Sequence, residues 1–231
     1  MGISLGSIKH TYQKLIGKRS SFKADIKCNK VWYGNAYGGF YVNPDLLNSS
    51  SIIYSFGIGT DLSFDLSIIA NHQSQVFGYD PTPKSIDWIA NQQLPTNFHF
   101  TPIGLGSKTE VVKFKLPKIK EHVSGSVISH NNVDEQNSVE VQMESFKTIA
   151  NKNNHSHIDV LKMDIEGSEY AVLDSILNSG ISISQILLEI HERFFEDGKQ
   201  KTDQMLAQLH QHGYKLFGIS EKEEELSFIK T

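Results

Sequence analysis

The stretch SIIYSFGIGTDLSFDLSIIANH, residues 51–72, decides the fold of this chain. Its first six residues are an apolar run typical of a buried strand, and the glycine-containing turn GIGTD (57–61) follows at once. The apolar residues from Leu62 onward alternate as in a strand, whereas Thr60 or Asp61 can cap a helix there. We predict a helix, because a strand, a turn and a helix in this order form the unit that the rest of the chain repeats.

Working outward, short apolar runs alternate with longer amphipathic ones, which is typical of a parallel sheet with helices on both faces. The predicted strands are QVFGYD (75–80), FHFTPIGL (98–105), HIDVLKMD (157–164) and SQILLEIH (184–191). The predicted helices are PTPKSIDWIANQQ, ESFKTIANKN, EGSEYAVLDSILNSG and KTDQMLAQLHQHG. YKLFGI and ELSFIK flank a charged turn and predict a final antiparallel pair.

Two regions depart from this alternation. Residues 106–143 contain EVVKFKLP, SGSVISH and NSVEVQM, which predict an inserted β-hairpin or lid after the third strand. Residues 1–48 precede the first strand, and we interpret them as an N-terminal helix followed by a segment rich in aromatic residues and glycine. Residues 49–231 are then a single globular α/β domain.

Bulk composition excludes several classes of protein. The 22 basic and 26 acidic residues give a net charge of −4, which argues against bulk attraction to nucleic acid. The single cysteine, Cys28, fits a reducing compartment, and we find neither a membrane-spanning run nor a secretory signal, so we predict a cytoplasmic protein. The N-terminal helix carries lysines; it either contacts a membrane surface or a partner, or packs on the main domain.

The glycine turn and the acid that ends the next strand predict a nucleoside site. Gly57 and Gly59 permit close approach of a ligand to the backbone at the start of a helix. Asp80 follows about 20 residues later, where an acid accepts the ribose hydroxyls of an adenosine, although it can equally cap the next helix. A dinucleotide fingerprint requires a third glycine where this chain has Leu62, which disfavours a nicotinamide cofactor.

Six segments together carry a family resemblance. In order they are the aromatic stretch Trp32–Phe40, then YSFGIGTDLSFD, FGYDPTP, FTPIGL, VLKMDIEGSEYAVL and LLEIH. They resemble the FkbM-type S-adenosylmethionine-dependent methyltransferases over nearly everything from Trp32 onward. The resemblance implies a doubly wound, seven-stranded, Rossmann-like methyltransferase sheet with an antiparallel C-terminal hairpin. It also implies O-methylation of a small molecule, often a sugar.

The resemblance also implies which residues contact S-adenosylmethionine. Gly57, Gly59 and Thr60 would contact its methionine part, Asp80 its ribose, and Gly104 and Leu105 would lie by the adenine. The neighbouring Asp61 and Pro81 complete the predicted cofactor-binding set.

Candidates for proton removal from a hydroxyl acceptor follow the last two parallel strands. Asp164, Glu166 and His191 are the predicted catalytic residues, and Glu189 lies beside them. These residues also have explanations other than catalysis. Glu166 can be an acid that stabilises a helix N-terminus, and Asp164 and His191 can be a polar pair at the strand ends. A divalent metal on Asp164, Glu189 and His191 is conceivable, but we predict none.

Three functions remain open on the sequence. The first is an S-adenosylmethionine-dependent O-methyltransferase that acts on a carbohydrate or another small molecule. The second is a non-catalytic module that binds an adenosine ligand and acts through a partner. The third, disfavoured by Leu62, is a nicotinamide-dependent oxidoreductase. In the O-methyltransferase, an aromatic lid would cover the cofactor or stack on a sugar; its candidate residues are Trp32, Tyr33, Tyr37 and Tyr41.

Overall fold

The computed structural model describes residues 19–117 and 133–231. Two sequence predictions fall outside these ranges: most of the N-terminal helix, on residues 1–18, and the SGSVISH segment, residues 124–130.

A seven-stranded sheet forms the centre of the molecule. From one edge to the other its strands are β11 (Tyr214–Ile219), β12 (Glu225–Lys230), β10 (Ser182–Glu189), β9 (His157–Met163), β3 (Ile52–Phe56), β4 (Gln75–Tyr79) and β5 (Phe98–Thr101). Strands β10, β9, β3, β4 and β5 are parallel, and β12 is antiparallel to both of its neighbours. The predicted sheet and its C-terminal antiparallel pair are confirmed.

Helices cover both faces of this sheet. Helices α1 (Ser63–His72) and α2 (Pro83–Ile89) pack on one face; α3 (Phe146–Lys152), α4 (Glu169–Leu177) and α5 (Gly198–Gln211) pack on the other. Strand β3 is buried on both sides, since Ile53 belongs to the core of one face and Tyr54 to that of the other. Such two-sided burial explains why the first strand is a continuous apolar run.

The predicted helix after the glycine turn is confirmed as α1. Its buried residues include Phe64, Ile68 and Ile69, whereas Leu66 is 40% exposed. Leu66 therefore produced the strand-like alternation without belonging to the core. Neither predicted cap makes the helix N-cap; Leu62 holds that position, and the Asp61 side chain accepts a hydrogen bond from the Ser63 N–H at 2.8 Å.

The prediction of one strand over FHFTPIGL is wrong. The segment divides into β5 and a separate strand β6 (Gly104–Gly106), with Pro102 between them. Proline has no N–H to donate to the ladder, so the sheet ends at Thr101. Strand β6 instead joins a three-stranded sheet with β8 (Val133–Ser145) and β7 (Glu110–Pro117). Because β7 and β8 are antiparallel, the predicted hairpin insert is confirmed.

A short hairpin of β1 (Val31–Tyr33) and β2 (Phe40–Val42) precedes the main sheet. Tyr33, Phe40 and Val42 are buried in the same core as helix α1. Two single turns of 3-10 helix, Pro44–Leu46 and Glu192–Phe194, complete the secondary structure of the described ranges. No helix in those ranges has the length and apolarity for a bilayer crossing, and the cytoplasmic location stays a prediction.

Candidate functional site

A cavity of about 430 Å³ lies at the carboxyl ends of the parallel strands. This edge of a doubly wound sheet, where the connections on either side of β3 run to opposite faces, is the usual position of a ligand site. All eight residues predicted to bind a cofactor line the cavity: Gly57, Gly59, Thr60, Asp61, Asp80, Pro81, Gly104 and Leu105. The structure thus brings the predicted cofactor set together, and its binding role stays a prediction.

The glycine turn forms the floor of the cavity between two strand ends. Gly57 has a φ of +82°, and a Cβ at this position would overlap the carbonyl oxygen of Asp164. Its own carbonyl oxygen accepts a hydrogen bond from the Lys162 ammonium at 2.9 Å. Only glycine allows both this backbone conformation and the approach to the end of β9. The turn and the end of β9 therefore form one rigid unit.

Asp80 is fixed by three hydrogen bonds. One carboxylate oxygen accepts the Gly59 N–H at 2.8 Å, and the other accepts the N–H and the hydroxyl of Thr82 at 2.9 and 2.6 Å. The sequence left two roles open for this acid. The N-cap of α2 is Thr82 and not Asp80, whereas Asp80 lies on the cavity wall, and its contact with a ribose stays a prediction. A carboxylate held by fixed donors beside a glycine turn is suited to accept hydroxyl groups of a ribose.

Aromatic and insert residues close the other sides of the cavity. Tyr37 lies at the mouth with 82% of its surface exposed, whereas Tyr33 is buried in the core. The aromatic segment is therefore mainly packing, and Tyr37 is the residue of the predicted lid that reaches the site. Met143 on β8 and Phe114 on β7 line the opposite side, which makes the insert part of the cavity wall.

The predicted catalytic residues divide between the cavity wall and the protein interior. Asp164 and Glu166 line the cavity, with side chains 26% and 20% exposed. His191 is only 1% exposed and is absent from the described wall, lying behind these two acids. A group in the cavity would therefore meet the carboxylates first, and the catalytic role of these three residues stays a prediction.

Four carboxylates surround His191. Its Nδ1 lies 3.1 Å from Glu169, while its Nε2 lies 3.4 Å from Glu166, 3.6 Å from Glu189 and 3.9 Å from Asp164. Burial alone would lower the pKa of His191, but the nearby carboxylates, Glu169 first, raise it well above its usual range. Burial and the charge of Asp164 likewise raise the pKa of Glu189.

Sequence reasoning missed two residues of the site. Lys162 is buried within an apolar strand and reaches the glycine turn; a lysine in such a run is the signal that could have found it. Glu169 lies at a helix N-terminus, where an acid is ordinary, yet it is fully buried and accepts the Ile165 N–H at 2.9 Å beside His191. The spacing of Glu169 relative to a histidine just after the next strand carries no signal of its own.

Several solved structures resemble this chain weakly. Fibrillarin from Aeropyrum pernix, in complex with S-adenosyl-L-methionine, has 9% identity and a TM-score of 0.42, with 80% of this chain and 66% of that chain covered. An rRNA methylase from Streptococcus thermophilus has 10% identity and a TM-score of 0.42, with 80% and 90% covered.

Sequence comparisons find a curated relative and a family. The human (Homo sapiens) protein called probable methyltransferase-like protein 24 is 26% identical over 166 residues, which cover 71% of this chain and 38% of that protein. The match thus spans well under half the length of this relative. A family model described as methyltransferase FkbM domain matches residues 47–216, from just before β3 into β11.

Proposed function

The chain belongs to the FkbM methyltransferase family, whose cofactor is S-adenosylmethionine, and we propose that it methylates a hydroxyl group of a sugar or another small molecule. When bound, S-adenosylmethionine supplies an electrophilic methyl group on a positively charged sulfur. The rest of the proposal concerns what the side chains of this chain do.

The charge of the cavity is the observation that carries the proposal. Four carboxylates line it, those of Asp61, Asp80, Asp164 and Glu166, and no lysine or arginine is among the described lining residues. A negative cavity attracts a sulfonium and repels the pyrophosphate of a dinucleotide or the phosphates of a nucleic acid. The same charge therefore argues against the oxidoreductase alternative.

The residues present fit the cofactor. Asp80 is an acceptor with fixed orientation for ribose hydroxyls, and the glycine turn lets a ligand approach the backbone closely. The cavity volume of about 430 Å³ is in the usual range for small-molecule sites. Gly57 and Gly59 would hold the methionine part, and Gly104 and Leu105 would flank the adenine.

Asp164 and Glu166 are the groups placed to handle the acceptor. They lie at the end of β9, next to the glycine turn and on the same cavity wall. A hydroxyl donated to either carboxylate would be oriented for in-line attack, and the proton would pass to that carboxylate as the methyl group is transferred. His191 stabilises the arrangement from behind.

Calorimetry with S-adenosylhomocysteine tests the cofactor half of the proposal. Asp80→Asn should weaken binding about 10- to 100-fold, because a hydrogen bond to a charged group contributes about 1.5–3 kcal/mol. Asp87→Asn, an exposed acid on the neighbouring helix, is the matched control and should bind as the unmodified chain does. Absence of binding to the unmodified chain would contradict the proposal.

Release of S-adenosylhomocysteine, screened over sugar, lipid and peptide acceptors, tests the acceptor half. We expect turnover with a hydroxylated small molecule, reduced by about 10²–10⁴-fold in Asp164→Asn or Glu166→Gln. Turnover with peptides or lipids alone would overturn the small-molecule assignment. Tight binding without turnover on any acceptor would instead support the non-catalytic module.

A further inference from the structure

His191 occupies an unusual environment for a buried imidazole. It follows β10, is 1% exposed, and has acids on both ring nitrogens: Glu169 beside Nδ1, and Glu166, Glu189 and Asp164 around Nε2 at 3.4 to 3.9 Å. Buried charged groups normally occur in matched pairs. Here one imidazole lies among four carboxylates.

The buried polar atoms of this cluster are not satisfied by hydrogen bonds. Neither ring nitrogen of His191 makes a hydrogen bond of acceptable geometry, and Oε2 of Glu169 lacks one as well. Glu169 is fully buried, and its other oxygen already accepts the Ile165 N–H. Buried groups of this kind nearly always have a partner in native proteins. The unsatisfied atoms of these two neighbouring residues indicate a ligand that they share.

Buried carboxyl groups are concentrated around one imidazole at this site. Glu169 is fully buried and the Asp164 side chain is 26% exposed, and each lies within 3.9 Å of a ring nitrogen of His191. Buried charged groups in proteins are either paired or coordinate a metal ion. A divalent cation would neutralise both acids at once.

We propose that Asp164, Glu169 and His191 bind one divalent transition-metal ion, such as Mn²⁺. One oxygen of each acid and one nitrogen of His191 lie within 4.8 Å of one another, so a single ion between them reaches all three with small side-chain movements. Two carboxylates and one imidazole form a donor set that suits Mn²⁺, which accepts both oxygen and nitrogen ligands. Glu166 and Glu189 add oxygen donors at the edge of the site.

Asp164 connects this site to the cavity. It is the member of the triad that also lines the cavity wall, so the cation would lie within reach of an acceptor oxygen. A cation there favours the deprotonated form of a hydroxyl group. This role rests on the proposed function, whereas cation binding itself does not.

Electron paramagnetic resonance of Mn²⁺ tests the site, because bound Mn²⁺ loses most of the amplitude of its free-ion signal. The full chain is treated with a chelator, desalted and titrated. We expect about one bound Mn²⁺ per chain, with affinity weakened at least about 10-fold by Asp164→Asn, Glu169→Gln or His191→Gln. Glu221→Gln, an exposed acid in the turn between β11 and β12, is the control and should leave the affinity unchanged.

Folding of each variant is checked by circular dichroism. Should His191→Gln or Glu169→Gln not fold, Asp164→Asn decides the result, because its side chain is 26% exposed and its amide keeps the same shape. An undiminished free Mn²⁺ signal with the unmodified chain overturns the proposal. So does Mn²⁺ binding that is unaffected in every folded variant.

Calorimetry with S-adenosylhomocysteine on the same samples separates the two proposals. Mn²⁺ binding without nucleoside binding would contradict the proposed function and leave the cation site standing. Nucleoside binding without Mn²⁺ binding would contradict the cation site and leave the proposed function standing.

Discussion

Gly57→Ala should damage both stability and the cofactor site, and Gly180→Ala is its matched control. The two glycines have nearly the same backbone angle, φ of +82° and +83°. A Cβ on Gly57 would overlap the carbonyl oxygen of Asp164, whereas a Cβ on Gly180 would meet no atom within 4 Å. The pair therefore separates the cost of the backbone angle from the cost of the steric contact.

The magnitudes follow from these two terms. Alanine in the left-handed region costs about 1–2 kcal/mol, and reduced freedom of the unfolded chain returns about 0.4–1 kcal/mol, so Gly180→Ala should lose about 0–1.6 kcal/mol. Gly57→Ala carries the same balance plus about 1–3 kcal/mol for forcing two backbone segments apart. For a chain of 231 residues each kcal/mol lowers the melting temperature by about 2–4 °C.

Thermal unfolding and calorimetry with S-adenosylhomocysteine check this prediction. We expect Gly57→Ala to melt at the lower temperature of the two variants and to bind the ligand at least about 10-fold more weakly, because the turn and Asp164 would move together. Gly180→Ala should bind as the unmodified chain does. Equal losses of stability in both variants, with unchanged ligand affinity, would falsify the close contact between the turn and the end of β9.

Two further predictions concern the buried charges beneath the glycine turn. Burial raises the pKa of Asp65 to about 6, although the charge of Lys162 opposes this shift. The folded state then holds the proton of Asp65 more tightly than the unfolded state does. The free energy of unfolding should therefore fall by about 3 kcal/mol as the pH rises from about 4 to 6. Asp65→Asn should lose this part of the pH dependence of the free energy of unfolding, which urea unfolding at several pH values would measure. Lys162→Met removes the donor to the Gly57 carbonyl and the positive charge that favours the ionised form of Asp65, so it should cost about 3–5 kcal/mol in urea unfolding.

Each of these two predictions has its own contrary result. A difference in stability between Asp65→Asn and the unmodified chain that is constant from pH 4 to 7 would show that Asp65 titrates normally. Lys199→Met is the control for Lys162→Met, because Lys199 and its partner Asp203 are 40% and 53% exposed and loss of this pair should cost about 0–1 kcal/mol. Similar costs for both lysines would contradict the role of Lys162 under the turn.

The sheet and the cofactor side of the cavity could be predicted because their signals are local. A strand, a glycine turn and a helix are contiguous in sequence, and Asp80 ends the very next strand. The alternation of apolar residues around Leu66 suggests a strand, but the order of the elements requires a helix there. The division of FHFTPIGL at Pro102 was also readable, since proline seldom continues a sheet.

The acceptor side could be predicted only in part, because its geometry depends on contacts between distant segments. Asp164, Glu166 and His191 were found from their places at strand ends, yet their depths differ: the two acids line the cavity and the imidazole lies behind them. The contact of Glu169 with His191 joins a helix to a residue that follows the next strand, 22 positions later, and no spacing rule indicates it. Only packing of α4 against β10 brings them together.

The attachment of the insert has a consequence for how this enzyme scaffold can change. Strand β6 is bonded to β8 directly beside the cavity, and a side chain on Gly104 would overlap the sulfur of Met143, so the base of the insert is tightly fitted to the cofactor side. Farther out, Pro117 pairs with Val133, and the chain leaves and re-enters the sheet at one place. Because Gly104 and Met143 both line the cavity, a substitution at the base of the insert would change the shape of the cofactor side directly.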